Sequence, residues 1–541
     1  INNFKVKSYF RDNINIILQN AICALRGINM SVELIKRPIN VYRTVDEQQK
    51  EELMETGMIV PDSKPDVLDV LVVDTDVIVR TREKTGRVME IGGEICYQVL
   101  YRADNQEQSL ESLNVKSPWS ISCNYPGGED EAYALVKSSV EHTNIDIVNG
   151  RKLSAKSVVK LNVKFVKVKK VEAGETIQGE QIYQKADPQE IAMLEDIGEK
   201  IINVAENVEI GDNKPVIDEI IYSNATLKDV SIQENMMMDC MLEVDCLYRA
   251  DNNDAGIENV HFDVPITKNL EVENYNYSDI SANAYVKSLS LKPDEDIDGL
   301  LTRVKIEAEV AVEYSLFSKD NVYLVKDAYA MGYAFELEKK PVTLVVEETE
   351  IREDIQVNGN MALDGEGEAI EEVLSLTTKP RILSVENDNA NIAVHGCLDI
   401  CVLYCTGADM RVIRGSNQEL PFTHNIPLPD PNADYENNIN LSINENSYEI
   451  VSDTSVDIKA QLEVKAHLSK KQEMDLVVGI KDIKTCEKKE NPPLLFYYPQ
   501  KGDTLWDIAK RYKVPIQKIL NDNEMIEETE PLEGKKILLV E

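Results

Sequence analysis

Cys397, Cys401 and Cys405 recur every four residues. On a strand that spacing brings three thiols to one face, as a set of metal ligands requires. No histidine or further cysteine stands at a zinc-like spacing to complete a tetrahedral set, so the three read as simple thiols on a strand face. The five histidines, His142, His261, His395, His424 and His467, lie far apart in the chain. His-Glu-x-x-His, Gly-x-Ser-x-Gly and the phosphate-cradling Gly-x-x-x-x-Gly-Lys-Ser/Thr are all absent, and no nucleophile has a base beside it. Carboxylates abound, but in a chain this acidic they read as solvated faces. The residues therefore predict no enzyme, no catalytic residue, no metal and no cofactor.

Recognition chemistry gathers instead in the tail, residues 494–541. Phe496-Tyr497-Tyr498 reads as a strand. Lys501-Gly502-Asp503-Thr504 turns the chain, and Asp503 or Thr504 can cap a helix. Leu505, Ile508, Ala509 and Tyr512 follow at helical spacing, and Ile516, Ile519 and Leu520 repeat it after Pro515. Gly534 to Val540 returns as a strand. The order is β-α-α-β. Gly502-Asp503-Thr504-Leu505-Trp506-Asp507-Ile508-Ala509-Lys510-Arg511-Tyr512, with Asn523 and Gly534, resembles the LysM signature almost residue for residue. That resemblance implies a shallow groove for N-acetylglucosamine chains, walled by Gly502, Asp503, Thr504, Leu505 and Trp506 on one side and by Asn523, Glu524, Met525 and Ile526 on the other. The chain departs from the family at Glu524, where Pro is frequent, and at Leu539-Val540 in place of Ile-Pro. Glu524, Glu527, Glu528 and Glu530 make one wall acidic, which favours a protein ligand over anionic wall polymers. Trp506 serves either as half-buried packing or as a sugar platform.

The elements that precede the tail announce themselves by repetition. Leu100-Tyr101-Arg102-Ala103-Asp104-Asn105 recurs as Leu247-Tyr248-Arg249-Ala250-Asp251-Asn252, and in worn form as Leu403-Tyr404-Cys405-Thr406. Each copy ends an alternating apolar run, which is a strand signal. Each Tyr is followed at one fixed interval by a proline, Pro118, Pro265 and Pro421. A spacing kept three times marks an internal repeat of roughly 150 residues, long enough for each copy to bury a core as a bead of its own. Strands with one apolar and one charged face close each copy, as in antiparallel sheets. The expected fold is mainly β: three tandem, sandwich-like repeats followed by a small α+β domain. Short helices are expected at 46–56 and 188–194, and a helical turn from Pro65 to Leu71.

The 541 residues suffice for three or four domains and are 43% apolar, so the chain folds. A net charge of -38 opposes binding to nucleic acid or to anionic membranes. It serves solubility or attracts a basic partner. No apolar run approaches the roughly 18 residues of a membrane span. Nine cysteines, scattered and odd in number, favour a reducing compartment. Residues 1–29 match no repeat and precede Met30-Ser31-Val32-Glu33, so they read as a non-native upstream extension.

Boundaries follow: repeat one at 30–168, a linker at 169–200, repeat two with a connector at 201–341, repeat three at 342–485, a linker at 486–493 and the tail at 494–541. The Pro-x-x-Asp/Glu-x-Ile/Val-Leu segments near Pro65, the strands ending Leu-Tyr and the Pro-aromatic pairs resemble the SPOCS domain of spore-forming Firmicutes. Ile266 departs where an aromatic is expected. Tandem SPOCS repeats before a LysM domain resemble the SipL family of clostridial spore-coat proteins. The resemblance implies a scaffold in the mother-cell cytoplasm, at the surface of the developing forespore, docked to a SpoIVA-like basement-layer ATPase through LysM. Peptidoglycan or N-acetylglucosamine oligomers are the rival ligands. The Pro-terminated linker is expected to hold LysM clear of the repeats.

Overall fold

A computed structural model describes residues 32–540, apart from 107, 128–130, 212, 252–255, 273–276, 364–367, 389, 408–411, 486–493, 526, 528–531 and 533. The extension at 1–29 and the linker at 486–493 lie outside the described residues. Repeat one comprises β1 (Glu33–Ile59), β2 (Val67–Thr85), β3 (Val88–Ala103), β4 (Leu110–Asn124), β5 (Ala132–Asn149) and β6 (Lys152–Gln178). Repeat two comprises β7 (Ile182–Glu209), β8 (Ile217–Ile232), β9 (Met237–Ala250), β10 (Ile257–Asn269), β11 (Asp279–Asp294) and β12 (Arg303–Ala330). Repeat three comprises β13 (Tyr333–Ala362), β14 (Ile370–Asp388), β15 (Asn391–Thr406), β16 (Val412–Pro427), β17 (Asp434–Ser452) and β18 (Ser455–Thr485). Each folds its six strands into two antiparallel sheets. The second, third and fourth strands form one; the first, sixth and fifth form the other. The two sheets face each other as a sandwich, and the core of repeat one draws Tyr101 and Ile121 from one and Val163 and Phe165 from the other.

The repeated spacing is hairpin register. Pro118, Pro265 and Pro421 stand opposite Glu94, Met241 and Cys397, each seven residues before the motif Tyr. All three prolines lie on the outer strand of a three-stranded sheet, where a missing N–H costs no ladder bond if it faces outward. The motif side chains divide by the pleat. Tyr101, Tyr248 and Tyr404 are fully buried in their own repeats. The Tyr101 hydroxyl donates to the Pro65 carbonyl at 3.1 Å and that of Tyr248 to Pro215 at 2.9 Å. Leu100, Leu247 and Leu403 point the other way and meet one another in a shared cluster with Val72, Tyr222 and Leu374.

Each repeat keeps a core of its own, as expected, but the repeats are not separate beads, because further apolar clusters draw on all three. Lys379 of repeat three bonds Asp74 and Asp76 of repeat one at 2.5 and 2.8 Å. Arg249 of repeat two holds Glu111 of repeat one at 2.8 Å. The Tyr42 hydroxyl of repeat one donates to the buried Glu348 of repeat three, whose His467 stacks on Phe317 of repeat two.

The expected linker at 169–200 is also strand. β5 pairs with β6 only as far as Lys167, and beyond it β1 and β6 continue as a two-stranded ribbon. β7 with β12 and β13 with β18 do the same. The three ribbons pack on one another through Ile39, Val171, Ile191, Leu324, Leu344 and Leu476. Charged residues face outward and apolar ones inward, so a composition that reads as linker belongs to half-buried ribbon. The helix expected at 46–56 lies inside β1. Glu47, Glu51 and Glu55 stand opposite Lys164, Lys160 and Lys156, but only Lys160 comes near its facing glutamate, at 4.0 Å, while Lys164 and Lys156 pair with Glu436 and Asp146. The helix expected at 188–194 lies inside β7, and Pro65 precedes β2 rather than a helical turn.

Candidate functional site

Residues 494–540 form β19 (Leu494–Tyr497), α1 (Leu505–Tyr512), α2 (Ile516–Asp522) and β20 (Ile537–Val540), with β19 and β20 antiparallel. Gly502 turns the chain at φ +96°, a conformation that a side chain disfavours. Thr504 then caps α1 in a capping box with Asp507, each side chain accepting the other's backbone N–H. Leu505, Ile508 and Ala509 of α1 pack on Ile516, Ile519 and Leu520 of α2. Asn523 closes the module. Its amide donates to the carbonyls of Ile519 and Leu538, both at 2.7 Å, and accepts from the Leu538 N–H at 2.6 Å.

The predicted groove residues thus fall into two groups. Gly502, Thr504 and Glu524 are exposed. Asp503 is half-buried and accepts from the Tyr497 hydroxyl at 2.6 Å and the Gln500 N–H at 2.9 Å; the Tyr497 bond is the main reason its carboxyl lies below the usual range. Leu505 is core, Met525 is half-buried against that core, and Asn523 is a structural clamp. Ile526 lies outside the described residues. What remains for a ligand is a polar, partly acidic rim over an apolar floor.

Trp506 is half-buried packing, one of its two expected roles, and also a contact to repeat two. Its indole N–H donates to Asp327 of β12 at 2.8 Å, and Lys510 reaches the same carboxylate at 2.6 Å. The Tyr329 hydroxyl donates to the Val514 carbonyl at 2.8 Å, and its ring meets Trp506 edge-on at 5.2 Å and stacks on Tyr183 at 5.1 Å. Burial alone would raise the Asp327 pKa, but its bonds to Lys510 and Trp506 outweigh that and hold it below the ordinary value. The tail is therefore seated on repeat two through its α1 face, not held clear of the repeats. The seat is specific to that copy. Ribbon bulges at Glu175, Lys326 and Val478 align the copies, which places Asp327 where the others have Thr176 and Gly479, and Tyr329 where they have Gln178 and Lys481. Nothing in local pattern marks Asp327 or Tyr329; only that comparison between copies could have found them.

The three cysteines do not converge. Cys401 and Cys405 join the cluster between repeats, while Cys397 lies beside Asp399 and Glu419. The Arg381 guanidinium bonds both of those carboxylates, at 3.0 and 3.3 Å. Burial raises the thiols of Cys397 and Cys401 to about 11 and about 12, far from thiolate. No helix among the described residues is long and apolar enough to cross a membrane.

Comparison with known proteins matches residues 66–148 and 369–451 to the SipL, SPOCS domain, and residues 500–539 to the LysM domain. No curated protein and no solved structure matches the chain. The SPOCS spans run from β2 to β5 and from β14 to β17. Repeat two is not matched, yet it has the same six-strand order. Both kinds of domain are binding modules rather than catalytic ones. The chain thus carries two SPOCS domains of the SipL type, with a third repeat of like topology between them, and ends in a LysM domain.

Proposed function

We propose that the chain is a non-enzymatic scaffold of bacterial spore-coat morphogenesis, docking a basement-layer coat protein to the forespore surface through its LysM groove. The partner in this reading is a SpoIVA-like ATPase, and the site of action is the mother-cell cytoplasm at the developing forespore. The observation that carries it is the LysM seat. One face of the module is bound to repeat two, and Gly502, Thr504 and Glu524 are exposed outside that seat. A fixed scaffold with a presented groove suits docking, because little freedom is lost when a partner arrives. The acidic rim favours a basic patch on that partner.

The test is direct binding between the purified chain and a SpoIVA-like ATPase, beside titration with N-acetylglucosamine oligomers. Glu524→Lys should slow association with the ATPase at low salt and matter less at high salt. Replacing Met525 and Ile526 by Ala should weaken it by about 2 kcal/mol or more. The second reading, a peptidoglycan binder, is favoured by the LysM match itself. It replaces the first if both variants keep the ATPase and lose the oligomers.

A further inference from the structure

The three junctions between repeats are built from equivalent positions and closed to different degrees. Opposite Leu100, Leu247 and Leu403 stand Val72, Tyr222 and Ser375 on one neighbouring strand, and Ser112, Asn259 and Gly415 on the other. Where repeat three meets repeat one, Gly415 lies so close that a Cβ would fall 2.3 Å from the Leu71 carbonyl oxygen. That junction is shut, backbone on backbone. Where repeat one meets repeat two, the Gln98 amide spans the gap, donating to the Ser223 carbonyl at 3.1 Å and accepting from its N–H at 3.2 Å in the orientation its bonding demands. The Tyr222 side chain is buried where all three repeats meet, its hydroxyl bonding Asp74 of repeat one at 3.2 Å and Thr377 of repeat three at 3.1 Å. Where repeat two meets repeat three, the matching positions hold Asp245 and Ser375. A cleft of about 360 Å³ remains, lined by Asp245, Asn259, Ser375, Asn446, Ser447 and Tyr448 among others.

The lining limits the ligand. No lysine or arginine is present to hold an anion. The one carboxylate, Asp245, is engaged by His261 at 2.8 Å. The amides are fixed by bonds that brace the walls, Asn259 to the Leu374 carbonyl at 3.0 Å and Asn446 to the Thr378 hydroxyl at 3.1 Å. Their amide oxygens, the two serine hydroxyls and the half-exposed Tyr448 ring are the groups left for recognition. Tyr448 is itself held by a bond to the Val373 carbonyl at 3.3 Å. Mixed donors and acceptors with a single, already engaged carboxylate, beside one aromatic face, match the hydroxyls and C–H face of a sugar ring. The volume lies at the lower end of the range for small-ligand sites, room for one or two rings.

We propose that this cleft between repeats two and three binds a small neutral saccharide, independently of the LysM groove. The test titrates the full-length chain calorimetrically with glucose, N-acetylglucosamine and the β-1,4-linked disaccharides of each. At least one should bind, and Tyr448→Ala should weaken it about tenfold or more. Ser375→Tyr, which adds bulk to the cleft's lining, should abolish it. Tyr448 is partly exposed, so its variant keeps the experiment readable if Ser375→Tyr does not fold. Glu524→Lys, which alters the exposed rim of the LysM groove, should leave the cleft's binding unchanged. The proposal is overturned if none of the four sugars binds, or if binding survives Tyr448→Ala.

Discussion

Within the repeated motif, neighbouring residues do different work because a strand sends them to opposite faces. Tyr248 belongs to its own core, Leu247 to the junction, and Arg249 to carboxylates of two repeats. Tyr248→Ala should cost about 3–5 kcal/mol by loss of buried volume. Tyr248→Phe should cost about 1 kcal/mol, since only the bond to the Pro215 carbonyl is lost. Urea denaturation of the two variants separates these contributions, and equal costs would refute the assignment. At the LysM seat, Asp327→Ala removes the acceptor shared by Trp506 and Lys510. Trp506 emission should shift to the red, and the segment 486–493 should be cut faster by protease. The seat should also weaken in acid. Asp327 has a depressed folded pKa, so its contribution is complete above the unfolded value of about 3.9 and is lost as pH falls through the folded value. A Trp506 signal that titrates above about pH 3.9, rather than below it, would count against it.

Among the elements, the ribbons explain why the pattern misled. A run such as Asp46 to Thr56 is rich in good helix formers, and by local propensity it is a helix. It is strand because the distant β6 supplies a pairing partner all along it, from Glu47 facing Lys164 to Thr56 facing Ala155. Residues 169–200 read as linker because half of each ribbon faces solvent, while its apolar half finds its partner only in other repeats. Backbone approach is the other element-level constraint. Gly415→Ala would push its methyl into the Leu71 carbonyl, so it should cost about 1–3 kcal/mol. Hydrogen exchange should quicken in β2 and β16 while β9 and β10 stay protected. Uniform loss of protection would show that the strain is not local.

The three copies keep separate cores but are joined by shared apolar clusters at their junctions, so the whole molecule is expected to behave as one body. Leu100, Leu247 and Leu403 form one cluster, so Leu247→Ala and Leu403→Ala should be non-additive, with a coupling of 0.5–3 kcal/mol, roughly the range for residues in contact. Calorimetry should show the repeats melting in a single transition; three resolved transitions would restore the picture of beads. What the sequence determined by itself is what depends on near neighbours. Alternation set the strands, the interval from Tyr101 to Pro118 set the hairpin register, and the Gly502–Tyr512 signature set the LysM helices. Each is encoded within one or two elements, where period and capping are physical necessities. What only the tertiary structure decided lies between distant segments: the ribbon stalk, the seat at Asp327 and Tyr329, and the cleft left by Ser375. Those depend on which surfaces of three similar copies meet. At these junctions the side chains that meet come from different repeats, as Tyr222 meets Asp74 and Thr377, and local sequence contains no signal of the partner that will face it.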